Sequence, residues 1–243
     1  MQTYQTRERE SGDSAAAGYE AWYTNSKGAC FDLRERTLFS QAVRRAQHPA
    51  PPRLLDLGAG TGRITEAVAP SADLVAAVDF SLQSLRVLSK KNLRSAIVVQ
   101  ADAVALPFPN HTFDAMVSWQ VLQHLVLPDL LALLRECRRV LKPGGRFFFS
   151  VYNVSYWRCH GICEDVDWNG LYYRRLDPNY LRRLAAASGF SGARVSYYKA
   201  LPSSPPALGA LPGSAALATA DRIICGVPIL RRFGSAYLFA EFR

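Results

Sequence analysis

Three aspartates at equal spacing are the residues of this chain whose types and positions suggest ligand binding. Asp56, Asp79 and Asp102 each stand at or near the end of an apolar run, and 23 residues separate each from the next. Uninterrupted apolar runs are typical of buried parallel strands, whose carboxyl ends meet at one edge of a sheet. A carboxylate there accepts hydrogen bonds from two adjacent hydroxyl groups or attracts an ammonium group. We therefore predict a ligand site at this edge.

The first aspartate precedes three alternating glycines, Gly58, Gly60 and Gly62. Glycine permits the left-handed backbone of a tight turn and a close approach of a ligand to the main chain. The run after the glycines is typical of a helix, so the sequence predicts strand, turn and helix in succession. Pyrophosphate-binding turns have the spacing G-x-G-x-x-G, whereas here the spacing is G-x-G-x-G and Asp56 would repel a diphosphate. A purely structural turn is the alternative.

The stretch from Asp56 to Gly62 resembles the first motif of class I S-adenosylmethionine-dependent methyltransferases, D-x-G-x-G-x-G. The connection Leu106–Asp114, with its LPF and FD sequences, resembles the small-molecule branch of that family. Residues 130–150 are similar to the family segment L-x-E-x-x-R-V-L-K-P-G-G. The resemblance covers roughly residues 19–150, and it implies S-adenosylmethionine as cofactor and methyl transfer to a small molecule as the reaction.

The resemblance also implies roles for individual residues. The turn would hold the methionine end of the cofactor, Asp79 would accept from the ribose hydroxyls, and Asp102 would accept from the adenine amino group. Phe80 would pack on the adenine, and Ser81 is predicted to cap the next helix. The implied cofactor-binding residues are Tyr19, Asp56, Gly58, Ala59, Gly60, Gly62, Asp79, Phe80, Ser81, Asp102, Ala103 and Gln120. Tyr19 is either a core residue or part of an aromatic helix that closes over the cofactor.

The acceptor site is expected in the region after the fifth strand, where residues 152–173 combine aromatic and polar side chains. An acceptor that must lose a proton needs a general base. The candidates are His160, Asp165, Asp167 and His124, although His124 is equally compatible with helix packing. Residues 202–234 are either a helical segment packed on the sheet or a flap that lines the acceptor pocket or a lipid surface. An apolar or aromatic acceptor is expected.

The predicted fold is a doubly wound, Rossmann-like α/β fold with seven mostly parallel strands, the last antiparallel. We expect a flexible segment at residues 1–14 and one methyltransferase domain at 15–243. That domain comprises an N-terminal helical cap (15–52), a cofactor-binding core (53–152) and candidate acceptor-site insertions at 153–175 and 202–234. A helix is expected from Phe31 to about Gln47, and another after an Asp177 N-cap. The oligomeric state is left open.

Composition excludes several other classes. The 243 residues fit one domain, and no apolar run is long enough for a transmembrane helix. The polar N-terminus lacks the apolar core of a signal peptide, so the cytoplasm is the expected location. Five scattered cysteines argue against a disulfide framework. Cys159 and Cys163 beside His160 lack a second ligand pair, so no metal site is expected.

The formal net charge of +9 leaves a second function open. A basic balance is typical of proteins that bind nucleic acid, and an RNA methyltransferase is therefore the alternative enzyme. The arginines, however, occur in scattered pairs at positions typical of solvated helix faces, with no long basic run. A non-catalytic partner protein of the same fold is the third possibility, but Asp56, Asp79 and Asp102 are all present.

Overall fold

A computed structural model of the chain describes residues 23, 26–46, 48–155, 163–166, 172–198, 232 and 235–243. The predictions for residues 1–14, for Tyr19 and for nearly all of 202–234 lie outside these residues. The helices are α1 (Ser26–Arg45), α2 (Arg63–Val68), α3 (Leu82–Ser89), α4 (Leu127–Val140) and α5 (Pro178–Ala187). The strands are β1 (Arg53–Leu57), β2 (Leu74–Asp79), β3 (Ala96–Gln100), β4 (Phe113–Trp119), β5 (Leu141–Tyr152), β6 (Glu164–Val166), β7 (Tyr172–Arg174), β8 (Ala193–Tyr198) and β9 (Tyr237–Phe242).

Seven strands form one mixed sheet in the order β3-β2-β1-β4-β5-β9-β8. The strands from β3 to β5 run parallel, and β9 is antiparallel to both of its neighbours. The predicted seven-stranded, mostly parallel fold with an antiparallel last strand is therefore confirmed. The strand order reverses between β1 and β4, and ligands of open α/β sheets bind at the carboxyl ends beside such a point.

The apolar strands form a core on both faces of the sheet. One face packs Leu55, Phe147 and Phe149 against α4 and α5, and the other packs Phe148 and neighbouring residues under Phe39 of α1. Alternate residues of each strand point to opposite faces, so both faces of the central strands are apolar. Packing on both faces holds the central strands in place, and with them the strand ends at which the predicted acids lie.

The structure corrects several predicted boundaries. Helix α1 begins at Ser26 rather than Phe31 and therefore includes Gly28. Residues 164–174 include the two-stranded antiparallel hairpin β6–β7, in the region where the acceptor site is expected and no strands were predicted. Its strands are three residues long, which is too short for a recognisable alternation. The N-caps predicted at Ser81 and Asp177 are confirmed, since each side chain accepts backbone hydrogen bonds.

No helix within the described residues is long and apolar enough to cross a membrane.

Candidate functional site

The glycine turn joins β1 to α2 at the point where the strand order reverses. Gly58, Gly60 and Gly62 have φ angles of +71°, +54° and +88°, in the left-handed region that favours glycine. A Cβ on Gly58 would lie 2.1 Å from Val121 Cγ2, and one on Gly62 would lie 2.1 Å from Leu88 Cδ1. Two of the three positions therefore exclude a side chain on steric grounds as well.

Four amides of this turn are already engaged within the protein. The N–H groups of Gly58 and Ala59 donate to the Val78 carbonyl over 2.8 and 2.9 Å, and that of Gly62 donates to the Ala59 carbonyl. The Gly60 amide donates to Asp79 Oδ2 over 2.8 Å. A dinucleotide-binding turn instead directs its amides at a pyrophosphate, so this turn does not have the arrangement of an anion-binding loop.

Asp79 ends β2 beside the turn and is half-buried. Besides the Gly60 amide, its carboxylate accepts the Ser81 N–H at Oδ1 over 2.8 Å. These two bonds orient the carboxylate, and a carboxylate oxygen can accept more than one hydrogen bond. The arrangement suits a carboxylate that must receive two adjacent hydroxyl groups in one orientation.

Asp56 lies beneath the turn and is 1% exposed. Its Oδ2 accepts a hydrogen bond from Thr65 Oγ1 over 2.6 Å. Burial raises the pKa of Asp56 to about 7, and the nearby Asp79 raises it further, while the Thr65 bond and Arg63 lower it. Because a positive group nearby would favour the ionised form, the charge of Asp56 is sensitive to a cationic ligand.

The third predicted acid, Asp102, lies two residues beyond β3 and is half-buried. Its Oδ1 accepts the Val104 N–H over 3.0 Å, which closes the loop that carries Ala103. Phe80 follows Asp79, and its carbonyl accepts a bond from Gln100 across the neighbouring strand end. The three strand ends therefore bring Asp56, Asp79 and Asp102 to one edge of the sheet.

Arg63, the first residue of α2, links the turn to helix α1. Its guanidinium forms ion pairs with Asp32 at 2.9 Å and Glu35 at 3.0 Å. The same group lies 4.2 Å from the ring centroid of Tyr23 and 4.3 Å from that of Trp119. The Arg63 side chain is 6% exposed and that of Glu35 is 1% exposed, so this is a buried ion pair enclosed by two aromatic rings.

Gln120 follows Trp119 at the carboxyl end of β4 and has a φ of +58°. A left-handed backbone is uncommon for glutamine and is concentrated at functional sites. The Gln120 amide donates to Ser150 Oγ over 3.2 Å, and Gln123 donates to Gln120 Oε1 over 2.8 Å. Gln123 Oε1 in turn accepts the Tyr152 N–H. This buried network joins the ends of β4 and β5.

His124 is held against the hairpin by a hydrogen bond of 2.9 Å between its Nδ1 and the Tyr172 carbonyl. A carbonyl oxygen only accepts, so Nδ1 carries the proton of this bond. In the neutral ring Nε2 is consequently the basic nitrogen, and the Gln123 Nε2 donor lies 3.5 Å from it. The tautomer of His124 is therefore set by its neighbours in the form required of a general base.

The other candidate bases are placed differently. Asp165 lies on β6 with its side chain 43% exposed, 3.8 Å from the Arg175 guanidinium. Its Oδ2 also accepts a long hydrogen bond from Tyr173. His160 and Asp167 lie outside the described residues. Among the described residues, no group of three or more potential ligands is arranged to hold a metal ion.

Sequence reasoning missed the Arg63 cluster and a row of tyrosines at the ends of β5, β8 and β9. The only feature of the sequence that could have indicated the tyrosines is their place in the strands. Tyr152 and Tyr198 each end a strand, and Tyr237 begins one. Which rings become neighbours depends on strand register, which the composition of single strands does not reveal.

Comparison with known proteins shows that part of this chain is similar to methyltransferases. Residues 55–149 match the family model described as a methyltransferase domain. A demethylmenaquinone methyltransferase of Corynebacterium urealyticum is 40% identical over 118 residues, which make up 48% of this chain and 49% of the relative. A ubiquinone biosynthesis O-methyltransferase of Idiomarina loihiensis is 33% identical over 156 residues, or 59% and 63% of the two chains. The matched part thus spans about half to three fifths of these relatives' length.

Solved structures share the fold over nearly the whole chain. A Burkholderia thailandensis 1,6-didemethyltoxoflavin-N1-methyltransferase, solved with 1,6-didemethyltoxoflavin and S-adenosylhomocysteine, has a TM-score of 0.66 at 20% identity and covers 99% of this chain and 88% of its own. The complex of DhpI with S-adenosylhomocysteine has a TM-score of 0.63 at 17% identity, with coverage of 98% and 96%. At these identities the likeness shows the fold alone.

Proposed function

We propose, on the premise that residues 55–149 are a class I methyltransferase domain, that this chain transfers a methyl group from S-adenosylmethionine to a small hydroxylated aromatic molecule. The observation that carries the proposal is the pairing of three carboxylates with a glycine turn whose amides are engaged within the protein. S-adenosylmethionine has two positively charged groups and no phosphate, so acidic surroundings suit it better than an anion-binding loop does.

We assign each group of site residues to one part of this cofactor. Asp79, held by two backbone amides, is assigned to the ribose hydroxyls, and Asp102 with Ala103 to the adenine. Asp56 is assigned to the ammonium end through the turn above it, because its ionisation responds to positive charge. The full set assigned to the cofactor is Asp56, Gly58, Ala59, Gly60, Gly62, Asp79, Phe80, Ser81, Asp102, Ala103 and Gln120, with Tyr19 retained from the sequence.

The cofactor, when bound, supplies a methyl group that its sulfonium has already activated. The protein must then align the acceptor, exclude water and remove the acceptor's proton. His124 is assigned as the base: its Nε2 would take the hydroxyl proton, and the acceptor oxygen would bond to the methyl carbon as the carbon–sulfur bond breaks and S-adenosylhomocysteine is left. We favour His124 over Asp165, because the Asp165 carboxylate is exposed and near Arg175.

A small aromatic acceptor is favoured over RNA by two considerations. The similar proteins named above are a demethylmenaquinone methyltransferase and a ubiquinone biosynthesis O-methyltransferase, both named for quinone compounds. Several arginines are also paired with carboxylates, among them Arg36, Arg63, Arg139, Arg146 and Arg174. These five arginines are therefore already paired with carboxylates of the protein itself. A cytoplasmic location is part of the same proposal.

The proposal is tested by incubating the purified protein with S-adenosylmethionine and a panel of hydroxylated mono- and bicyclic aromatics, followed by mass spectrometry. We expect a product heavier by one CH₂ unit, together with S-adenosylhomocysteine in equal amount. Methylation of RNA with a steep loss of activity in rising salt would replace this function by the alternative. Cofactor binding without turnover on the aromatic panel or on RNA would favour a non-catalytic protein.

A further inference from the structure

Four tyrosine rings form a continuous row along the carboxyl edge of the sheet. Their centroids are separated by 5.1 Å from Tyr173 to Tyr152, 5.2 Å from Tyr152 to Tyr237 and 5.4 Å from Tyr237 to Tyr198. Each of the four residues is half-buried. We call these four residues the tyrosine row. Ring separations of 4.5–7 Å are those of favourable aromatic contacts.

The register of the sheet aligns the row. Tyr237 pairs with Tyr152 across β9 and β5, and with Tyr198 across β9 and β8. Directly paired residues project from the same face, so these three side chains lie side by side. Tyr173 joins them from the hairpin, and the carbonyl of the preceding residue, Tyr172, holds His124. The row thus begins beside the proposed base and ends at Tyr198.

The hydroxyl of Tyr198 distinguishes this end of the row. Its Oη is buried and makes no hydrogen bond of acceptable geometry within the part of the chain that the structure describes. Burial raises the pKa of Tyr198 well above its usual value and the neighbouring Glu35 raises it further, while the nearby Ser150 side chain lowers it without meeting the geometry of a hydrogen bond. The group therefore remains a protonated hydroxyl. A buried hydroxyl without a partner destabilises a fold, whereas a ligand oxygen at this place would satisfy it.

We propose that the tyrosine row binds the acceptor as a planar, uncharged aromatic ring system, and that the Tyr198 hydroxyl donates a hydrogen bond to a second oxygen of that acceptor. The inference rests on the proposed function and specifies its substrate class. Because His124 lies at the Tyr173 end, the oxygen bound by Tyr198 is not the one that is methylated. The acceptor therefore carries two oxygen functions on different parts of its ring system.

The charges around the row support an uncharged acceptor. The Arg175 guanidinium lies 4.8 Å from the Tyr173 centroid, so the aromatic face there already has a cation and a cationic ligand would be repelled. Near Tyr198, Glu35 and Arg63 are paired with each other at 3.0 Å. An anionic acceptor would compete with Glu35 for the Arg63 guanidinium. An uncharged acceptor avoids this competition as well as the repulsion by Arg175.

The test compares two probes that differ in one oxygen, 4-methoxy-1-naphthol and 1-naphthol, on the full chain in the presence of S-adenosylhomocysteine. Tyr198→Phe removes the hydroxyl and keeps the ring. Tyr197→Phe is the matched control, because Tyr197 is adjacent in sequence but packs against the core on the opposite face. We expect Tyr198→Phe to weaken binding of 4-methoxy-1-naphthol about three- to tenfold, the effect of one neutral hydrogen bond, and to leave 1-naphthol binding unchanged.

Three results would overturn the inference: no binding of either naphthol to the wild-type protein, unchanged affinity of Tyr198→Phe for the methoxy probe, or an equal loss for both probes. The melting temperature of Tyr198→Phe should equal or exceed that of the wild-type protein, because the hydroxyl makes no hydrogen bond with the described residues that the substitution would remove. Calorimetry distinguishes failure of the proposed function from failure of this inference. A protein that does not bind S-adenosylmethionine contradicts the proposed function before any acceptor is tested.

Discussion

The backbone N–H of Gly60 donates a hydrogen bond of 2.8 Å to Oδ2 of Asp79. This bond connects the glycine turn after β1 to the acid that ends β2, so the two features predicted to bind one ligand are a single structural unit. Asp79 is thereby oriented before any ligand arrives. Preorganisation of this kind reduces the entropy that is lost on binding.

The buried carboxyl group of Asp56 predicts a pH-dependent stability. Its pKa is raised to about 7 in the folded protein, whereas an unfolded aspartate titrates near 4. Between these values the folded state binds more protons, so the free energy of unfolding must fall as the pH rises from about 4 to about 7. Asp56→Asn has no such proton and can still accept from Thr65.

Urea denaturation at several pH values measures this effect. The stability of Asp56→Asn relative to the wild-type protein should increase by a few kcal/mol across this window and should be constant above it. Parallel stability curves for the two proteins would show that Asp56 ionises as it does in the unfolded chain.

The Arg63 cluster predicts a large loss of stability on substitution. Arg63→Met removes the guanidinium that lies 3.0 Å from the buried Glu35 carboxylate, and such changes cost about 3–5 kcal/mol. Arg36→Met is the control, because Arg36 also bridges α1 to α2, through Glu66, but its side chain is 30% exposed. That change should cost about 1 kcal/mol or less.

Chemical denaturation compares the two variants, and the double variant Glu35→Gln with Arg63→Met should recover part of the loss. Equal effects of Arg63→Met and Arg36→Met would mean that the aromatic enclosure and burial of Arg63 contribute nothing to the ion pair.

His124→Asn should lower kcat for a hydroxylated acceptor by about 10²–10⁴, the usual contribution of a general base, with little change in cofactor affinity. His111→Asn is a matched control, because His111 Nδ1 also contacts a backbone carbonyl, that of Leu141 at 3.0 Å. Asparagine tolerates the left-handed backbone of that residue. Steady-state kinetics on both variants gives the comparison, and full activity of His124→Asn would exclude its role as base.

The acids and the glycine turn could be predicted from the sequence because their signals are local. An apolar run followed by an acid and alternating glycines fixes strand, turn and helix without reference to the rest of the chain. Composition was a poorer guide to burial: the A-I-V-V run of β3 is apolar, yet Ile97 is 45% exposed, because β3 is an edge strand.

Long-range contacts could not be predicted in this way. The enclosure of Arg63 depends on Asp32 and Trp119, which belong to two other elements on opposite sides of it in sequence. The alignment of Tyr152 with Tyr237 depends on the pairing of distant strands, and a shift of one residue would turn these side chains to the opposite face. The strands of the hairpin that carries Tyr172 are too short to show the alternation of apolar and polar residues that indicates a strand.

The most direct test of the account is a calorimetric titration of S-adenosylmethionine into the wild-type protein, Asp79→Asn and Asp73→Asn. Asp73 is exposed in the segment before β2, so its variant carries the same charge change away from the site. We predict that the wild-type protein and Asp73→Asn bind the cofactor with the same affinity, and that Asp79→Asn binds it about 10- to 100-fold more weakly, which is the scale of hydrogen bonds to a charged group. Absence of binding to the wild-type protein, or unchanged affinity of a folded Asp79→Asn, would contradict the account.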